Sequence, residues 1–511
     1  MNTNKIKSLV LIVCLVLAAV CVPSCDTPEK NAGAGGGSET AAGITGGFAP
    51  DAADATDEGG AYKNPIPEYL PKPDLGGYEF RVLTRDTPHH SMYIDSAEQN
   101  GEPINDAVYM RNKIVEEAYN IRIKGVQIAE FNGPGGEMYL SDTLKKTIEA
   151  GLDEYDLAMV HMIHAGTLAA KKYFLDWRQI PYVDLARPWW DHGVSDGLVI
   201  QGRLYLNSGD YDLDCTDFTW GMIFNKKLWQ DFGYEDIYTV VKNGDWTLDY
   251  FNGIIKQSSR DLNGDGIYDE NDLFGFIAID RGGLTNFMYG SGERVYRKNT
   301  SGGFDFVLKN ERMQTVVDKT YDIYFNNNSA YVFREPPGKY LPEDEPMAMF
   351  MDNKGLIASA RLAAMPVLRG MEIDFGIIPQ PKYDATQNGY CTYSDGHASM
   401  MCIPTTVPDP ERFGIVMEAL AYSSQTLVLP AYYDISLNTK FTRDDESSEM
   451  IDIIIKNRVF DIGYVYNNDT GALGFIINDL IKAKKTDFSS TVEKKEASAL
   501  KALDKLIGNF E

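Results

Sequence analysis

Cysteine is scarce: 6 in 511 residues, three of them (Cys14, Cys21, Cys25) near the start. A disulfide-built scaffold is excluded by that count. Basic residues are outnumbered, 48 Lys and Arg against 74 Asp and Glu, for a net charge of -26. Nucleic acid and anionic lipid both call for positive surfaces, so neither is an expected partner. No repeat of fixed period is visible, which removes solenoids and propellers. Catalytic signatures are also missing: no nucleophile elbow, phosphate loop, His-Glu-x-x-His or Cys-His pattern is recognised. Beyond the first apolar stretch no run reaches membrane-spanning length.

That first stretch is informative. Lys5 and Lys7 precede an apolar run from Leu9 to Val22, and Val22-Pro23-Ser24-Cys25 reads as a bacterial lipobox. Residues 1–24 are expected to be a lipoprotein signal peptide and Cys25 the lipidated residue; a spanning helix would need about 20 apolar residues, more than this Pro-broken run supplies. Cys21, after the bulky Val20, is the weaker cleavage candidate. Residues 25–75 are rich in Gly, Ala and acidic side chains and cannot bury enough apolar area to offset their ordering entropy, so they read as a flexible tether. The remaining body of roughly 435 residues is long enough for two or three domains. Of the cysteines left, Cys391 and Cys402 are the nearest candidates for a pair.

Tyr78 to Leu83 alternates as a strand should, with Tyr78, Phe80 and Val82 on one face. A helix with Asp106 as cap, a strand at Ile121-Arg122-Ile123-Lys124, a helix around Leu144 to Ala150, a strand Tyr155 to Val160 and a helix near Thr167 to Tyr173 complete a βαβαβα order, the mark of a mainly parallel sheet. Strands are expected at Gly202 to Asn207, Thr219 to Asn225, Phe274 to Asp280 and Phe375 to Ile378. Helices are expected at Lys226 to Asp231, after the Thr247 cap, and at Arg312 to Phe325. Asp409-Pro410-Glu411 combines a capping aspartate, proline at the first helical position and an acid in the first turn. Two amphipathic helices follow at Glu449 to Arg458 and Glu493 to Leu506.

Asp261-Leu262-Asn263-Gly264-Asp265-Gly266-Ile267-Tyr268-Asp269-Glu270-Asn271-Asp272 has the spacing of an EF-hand-type loop. Asp261, Asn263, Asp265, Asp269 and Asp272 would supply side-chain oxygens to a structural calcium ion, and Ile267 its carbonyl. Without a metal the same string forms Asx turns unaided. Aromatic residues in loops or near element ends are candidates for stacking on sugar faces: Trp189, Trp190, Trp220, Tyr211, Tyr289, Tyr393, Tyr432 and Tyr433, each weighed against simple core packing. Trp229 and Trp246 read as core. Polar candidates for a cleft rim are Arg85, His161, Asp217, Asp280, Asp352, Asp395 and His397. His161 and His164 lack a third ligand nearby in sequence, so no metal is assigned to them.

Several fragments in order resemble the extracellular solute-binding proteins of bacterial ABC importers, family 1 type, in the carbohydrate-binding branch. They are Ile223-Phe224-Asn225-Lys226-Lys227-Leu228-Trp229, Gly244-Asp245-Trp246-Thr247-Leu248-Asp249, Asp272-Leu273-Phe274-Gly275-Phe276, Met347-Ala348-Met349-Phe350, Asp374 to Pro381, and Met401-Cys402-Ile403-Pro404. The resemblance implies a two-lobed, type II periplasmic-binding-protein-like α/β fold over residues 76–511. Its first lobe would take about 76–205 plus a later returning segment, its second lobe much of 206–470, and C-terminal helices 471–511. It implies a monomer, not an enzyme, that holds a small-molecule solute, an oligosaccharide, between lobes and hands it to ABC permease subunits at the outer face of the cell membrane. A surface glycoside hydrolase, whose two acids need not be close in sequence, and a glycan sensor lipoprotein are the alternatives.

Overall fold

The computed structural model describes residues 65–129, 131–132, 137–280, 282–326, 328–334, 344–365, 367–372, 374–437 and 445–511. The signal stretch, Cys25 and the tether up to residue 64 lie outside them. The last part of the expected tether is packed: Ile66 and Leu70 are buried, and Tyr69 donates to Glu418 at 2.7 Å. Ile66 and Leu70 bring the apolar area that the Gly/Ala stretch lacks, so the packed body includes residues ahead of 76.

Among the described residues nine strands build two larger sheets. They are β1 (Tyr78–Arg85), β2 (Ile121–Ile128), β3 (Leu157–His161), β4 (Trp220–Asn225), β5 (Phe274–Ile279), β6 (Ala330–Phe333), β7 (Gly355–Arg361), β8 (Phe375–Ile378) and β9 (Ser399–Cys402). The first sheet runs β9-β3-β1-β2 and the second β6-β5-β7-β4-β8. In the first, β1 is parallel to β2 and β3, while β9 returns antiparallel with Ser399 opposite His161. In the second, β5 is parallel to β6 and β7, and β4 runs antiparallel to β7 and β8. Helices Pro103–Tyr119 and Tyr139–Glu149 make the crossovers β1 to β2 and β2 to β3, so the expected βαβαβα order stands.

Strands covered on both faces read as apolar runs rather than alternation. β3, β4, β5 and β7 are buried at every position. β1 shows the same effect: Phe80 and Val82 are buried as the alternation requires, but so are Leu83, Thr84 and Arg85. Other expectations change. The first crossover helix starts at Pro103, and Asp106 reaches back to accept from Asn100 N at 2.8 Å instead of capping. Gly202 to Asn207 makes only isolated bridges, because Gln201 and Gly202 both adopt positive φ and turn the chain back on Ile200. Cys391 and Cys402 are free, as is Cys215; Cys402 lies in β9 of the first sheet, whereas Cys391 adjoins the short strand Thr392–Tyr393, which pairs with Arg458–Val459.

Among the described residues two segments join strands of one sheet to strands of the other, 214–219 outward into β4 and 394–398 back into β9. They lie side by side. Thr219 bridges Ser394, Asp395 N donates to Phe218 O at 2.8 Å, and the Ser394 hydroxyl donates to Cys215 O at 2.9 Å. Helix Pro410–Leu437 is capped as expected, Asp409 accepting from Arg412 N at 3.0 Å. Buried Arg111 donates to Tyr93 O, Ile94 O, Tyr211 O and Ser424 Oγ, tying this helix to the first half. Helix Asp445–Lys456 packs Ile451 and Ile454 on Ile223, Phe375 and Ile377 of the second sheet.

Two glycine replacements separate close packing from helix propensity. A Cβ on Gly414 would stand 1.8 Å from Pro181 O, whereas one on Gly253, inside helix Leu248–Ser258, meets nothing within 4 Å. Gly414→Ala is expected to cost more than about 2 kcal/mol in urea unfolding, and Gly253→Ala to gain about 0.5–1 kcal/mol.

Candidate functional site

Parallel strands deliver side chains to the edge where they end, and both sheets present that edge to the crossing segments. Arg85 ends β1 and His161 ends β3; β7 ends at Arg361, and β4, running the other way, begins there with Trp220. Asp395 and His397 sit in the returning segment between them.

At the centre is Asp214, fully buried. It accepts from His90 Nδ1 at 2.8 Å, from Arg85 Nη2 at 3.1 Å and from Ser399 N at 2.7 Å. Arg85 Nη2 also donates to His397 O at 2.6 Å and to Ser399 Oγ at 2.7 Å. Burial alone would raise the Asp214 pKa, but His90 and Arg85 beside it hold it below the usual carboxylate range. Asp212, buried next to that charge, is pushed well above it. Asp217 accepts from the Tyr93 hydroxyl at 2.6 Å and is raised by burial to about 7.

Asp395 joins the two edges. Its carboxylate accepts from Trp220 Nε1 at 3.2 Å and from His397 Nδ1 at 2.6 Å. Burial opposes its charge, but His397 and Arg361 hold its pKa well below the ordinary value. The Arg361 guanidinium lies 4.7 Å from the Phe218 ring centroid and 5.6 Å from that of Trp220. A Cβ on Gly282 would stand 2.4 Å from the Trp220 ring and 2.5 Å from Asp395 Oδ2, so helix Gly282–Gly290 can start here only with glycine. On the other edge His161 stacks on His164 at 4.3 Å and meets His397 edge-on at 5.3 Å. Burial, with the neighbouring imidazoles and Arg85, depresses the His161 pKa well below 6.5. The fold thus supplies a third imidazole, though among the described residues no group of three His, Cys, Asp or Glu is set to hold a metal ion.

Arg85, His161, Trp220, Asp395 and His397 come together as a polar and aromatic cluster, with Asp217 adjoining through the Asp214 segment. The remaining candidates go elsewhere. Trp189 packs edge-on to Tyr422 and Tyr211 lies under Arg111. Tyr289 stacks on Tyr393 at 5.1 Å; Tyr432 is the exception, meeting Tyr433 edge-on and hydrogen-bonding Asp217 beside the cluster. Asp280 faces Lys482 at 3.5 Å, and Asp352 is exposed. Trp229 and Trp246 are buried as expected. The sequence reading missed His90, Asp214, Phe218 and Arg361. It also passed over Gly193-Val194-Ser195-Asp196-Gly197, which spells Gly-x-Ser-x-Gly. That string lies within helix His192–Leu198, with no strand leading into it, and its glycines let the backbone approach Arg458 O and Phe460 O.

The acidic loop forms Asx turns. Asp261 accepts from Gly264 N and Gly266 N at 2.7 and 2.8 Å, Asp265 from Ile267 N at 2.8 Å, and buried Asp272 from Leu262 N and Asp269 N at 2.9 Å. Gly264 and Gly266 have positive φ. Asn263 and Asp269 likewise accept from backbone N–H groups.

No family model and no curated protein matches the chain. Solved structures do. A cyclo/maltodextrin-binding protein complexed with maltotetraose superposes with a TM-score of 0.52 at 16% identity, over 86% of this chain and 98% of that one. The ABC substrate-binding protein Lmo0181 of Listeria monocytogenes, in complex with cycloalternan, gives 0.52 at 11%, over 84% and 99%. UgpB of Mycobacterium tuberculosis, with glycerophosphocholine, gives 0.51 at 12%, over 84% and 99%. The fold is the two-lobed one of periplasmic binding proteins, two sheets joined by crossing segments.

Asp217 carries a pH signature. Its native pKa of about 7 against 3.8 unfolded means the native state keeps a proton that the unfolded chain has released, so stability falls as pH rises between those values. The full effect is at most about 4 kcal/mol. Asp217→Asn should remove it, so that the urea midpoint of the variant gains on wild type between about pH 4 and about pH 8. Parallel pH profiles would show Asp217 ionised throughout.

Proposed function

We propose that this chain captures a solute, an oligosaccharide, between its two halves and delivers it to an ABC permease. The observation that carries the reading is the cluster at the crossing segments, where Arg85 and His161 of one sheet edge meet Trp220 and Arg361 of the other around Asp395 and His397. Aromatic faces with carboxylate, imidazole and guanidinium groups suit a polyhydroxylated ring, which offers carbon faces and paired hydroxyls. The sugars and polyols named with several structures of this fold support the same class of solute. Trp220, Asp395 and His161 are buried, so a solute reaches them as the halves part, and contacts to both halves favour closure. The closed form is what the permease would recognise. A lipid on Cys25 would keep the protein at the outer face of the membrane, with the tether giving reach. Capture is the whole activity in this reading, with no turnover of the sugar.

A melting-temperature screen over maltotetraose, cyclic and linear oligosaccharides, ribitol and glycerophosphocholine tests this. A saccharide is expected to raise the melting point, by the linkage of binding to folding, and to be recovered intact. Trp220→Ala should weaken that binding by at least about 10-fold, the loss of one stacked ring. Cleavage of the sugar would make the protein a hydrolase, and a response to glycerophosphocholine alone would move the solute class.

We propose further that the loop Asp261–Asp272 takes a structural calcium ion. Its support is the oxygen spacing along the sequence, with the carboxylates of Asp261, Asp265, Asp269 and Asp272 in one loop; each oxygen that accepts one N–H keeps a second lone pair. Among the described residues no group of three His, Cys, Asp or Glu is set to hold an ion, so the loop carboxylates would have to rearrange around it. Chelation with EDTA is expected to lower the melting point and added calcium to restore it; an unchanged melt leaves the Asx turns as the whole explanation.

A further inference from the structure

Helix His192–Leu198, the hairpin of Tyr296–Lys298 and Phe304–Phe306, and the segment Lys456–Ile462 enclose a groove of about 360 Å³. Asp461 in its lining accepts from the Tyr289 hydroxyl at 3.3 Å, Tyr289 stacks on Tyr393, and Tyr393 meets Tyr464 edge-on. Its floor is backbone. A Cβ on Gly197 would be 2.0 Å from Phe460 O, so the helix lies directly on that segment.

Its walls are cationic on a chain of net charge -26. Arg294, Arg297, Lys298, Lys456 and Arg458 line it, against Asp196 and Asp461. The buried Asp461 carboxylate turns inward, accepting from Val295 N at 2.6 Å and Gly463 N at 2.7 Å. Lys456 has Asp452 and Arg458 has Asp191 as ion-pair partners. The other three donate only to backbone carbonyls: Arg294 to Glu293 O at 2.6 Å, Arg297 to Gly292 O at 3.1 Å, Lys298 to Asp196 O at 3.4 Å. Asp305, opposite Arg297 in the hairpin, accepts from Asn299 Nδ2 instead. Among the described residues none of these three cations forms an ion pair.

We infer that this groove is a second binding site, taking an acidic saccharide, a sugar ring that bears a carboxylate or a sulfate. Guanidinium forks match either oxyanion with paired hydrogen bonds. The groove is far larger than the roughly 30 Å³ that a water molecule occupies in the liquid, so it holds more than an inorganic ion. Tyr296, Phe304 and Phe460 supply carbon faces for the ring. Exposed charges act over a Debye length of about 8 Å at physiological salt, so the charges at the groove, and not the net charge of the chain, decide what it attracts.

Calorimetry on the full chain with trigalacturonate, a sulfated heparin disaccharide, inorganic sulfate and maltotetraose tests the site, using the variant Arg297→Ala/Lys298→Ala. Both replaced residues are exposed, so the fold should survive, as its melt would show. At least one acidic sugar is expected to bind, more weakly at higher salt and at least 10-fold more weakly to the variant; which of the two binds tells carboxylate from sulfate. Binding of neither sugar, equal binding to the variant, or equal competition by inorganic sulfate, an adventitious ion only, overturns the site. Loss of the acidic sugar on Trp220→Ala would place it in the cleft and overturn it as well. Maltotetraose reports on the cleft separately, so failure of either reading is distinguishable from failure of the other.

Discussion

A carboxylate with no access to water needs its charge matched where it stands, and Asp214 meets that need with Arg85, His90 and the Ser399 amide. Those partners come from the end of β1, the turn of helix after it and the start of β9. One buried ion therefore sets the position of the outward crossing segment against both the edge it leaves and the strand that returns. Burial and the Asp214 charge beside it push the pKa of its neighbour Asp212 well above the ordinary carboxylate value.

From that anchor the rest of the cleft edge follows. With Asp214 in place, Ser399 opens β9 beside His161, and His397 and Asp395 are carried to Trp220. Gly282 lets helix Gly282–Gly290 approach the indole without a gap. The same two crossing segments bond to each other through Thr219, Phe218 and Ser394, so the connection between the sheets and the candidate site share residues. In the proposed reading, contacts made by a solute would bear directly on those segments.

Charge is distributed with the same economy. Acids crowd the 261–272 loop, while Arg294, Arg297 and Lys298, which form no ion pair among the described residues, gather with Asp196 and Asp461 at the groove beside helix His192–Leu198. Arg458 links the two regions, since its guanidinium meets Asp191 at the head of that helix and the hydroxyls of Thr216 and Thr219 in the crossing segment.

Local order was largely legible in the chain. Thr247 caps its helix and Asp409 does the same; Trp229 and Trp246 are core, and the βαβ alternation of the first half is real. These features depend on residues a few positions apart, whose hydrogen bonds and apolar periodicity are written in sequence. Asp214 and His90 gave no such signal, because what marks them is burial and partners more than a hundred residues away. Tyr211, Tyr289 and Tyr432 looked equally fit for stacking as Trp220 did, and only packing sorted them. So the amino-acid order by itself determined the elements, their class and the chemistry available. Tertiary structure decided which acids are buried, which aromatics join the polar cluster and which cations form ion pairs, since desolvation and pairing depend on neighbours in space rather than neighbours along the chain.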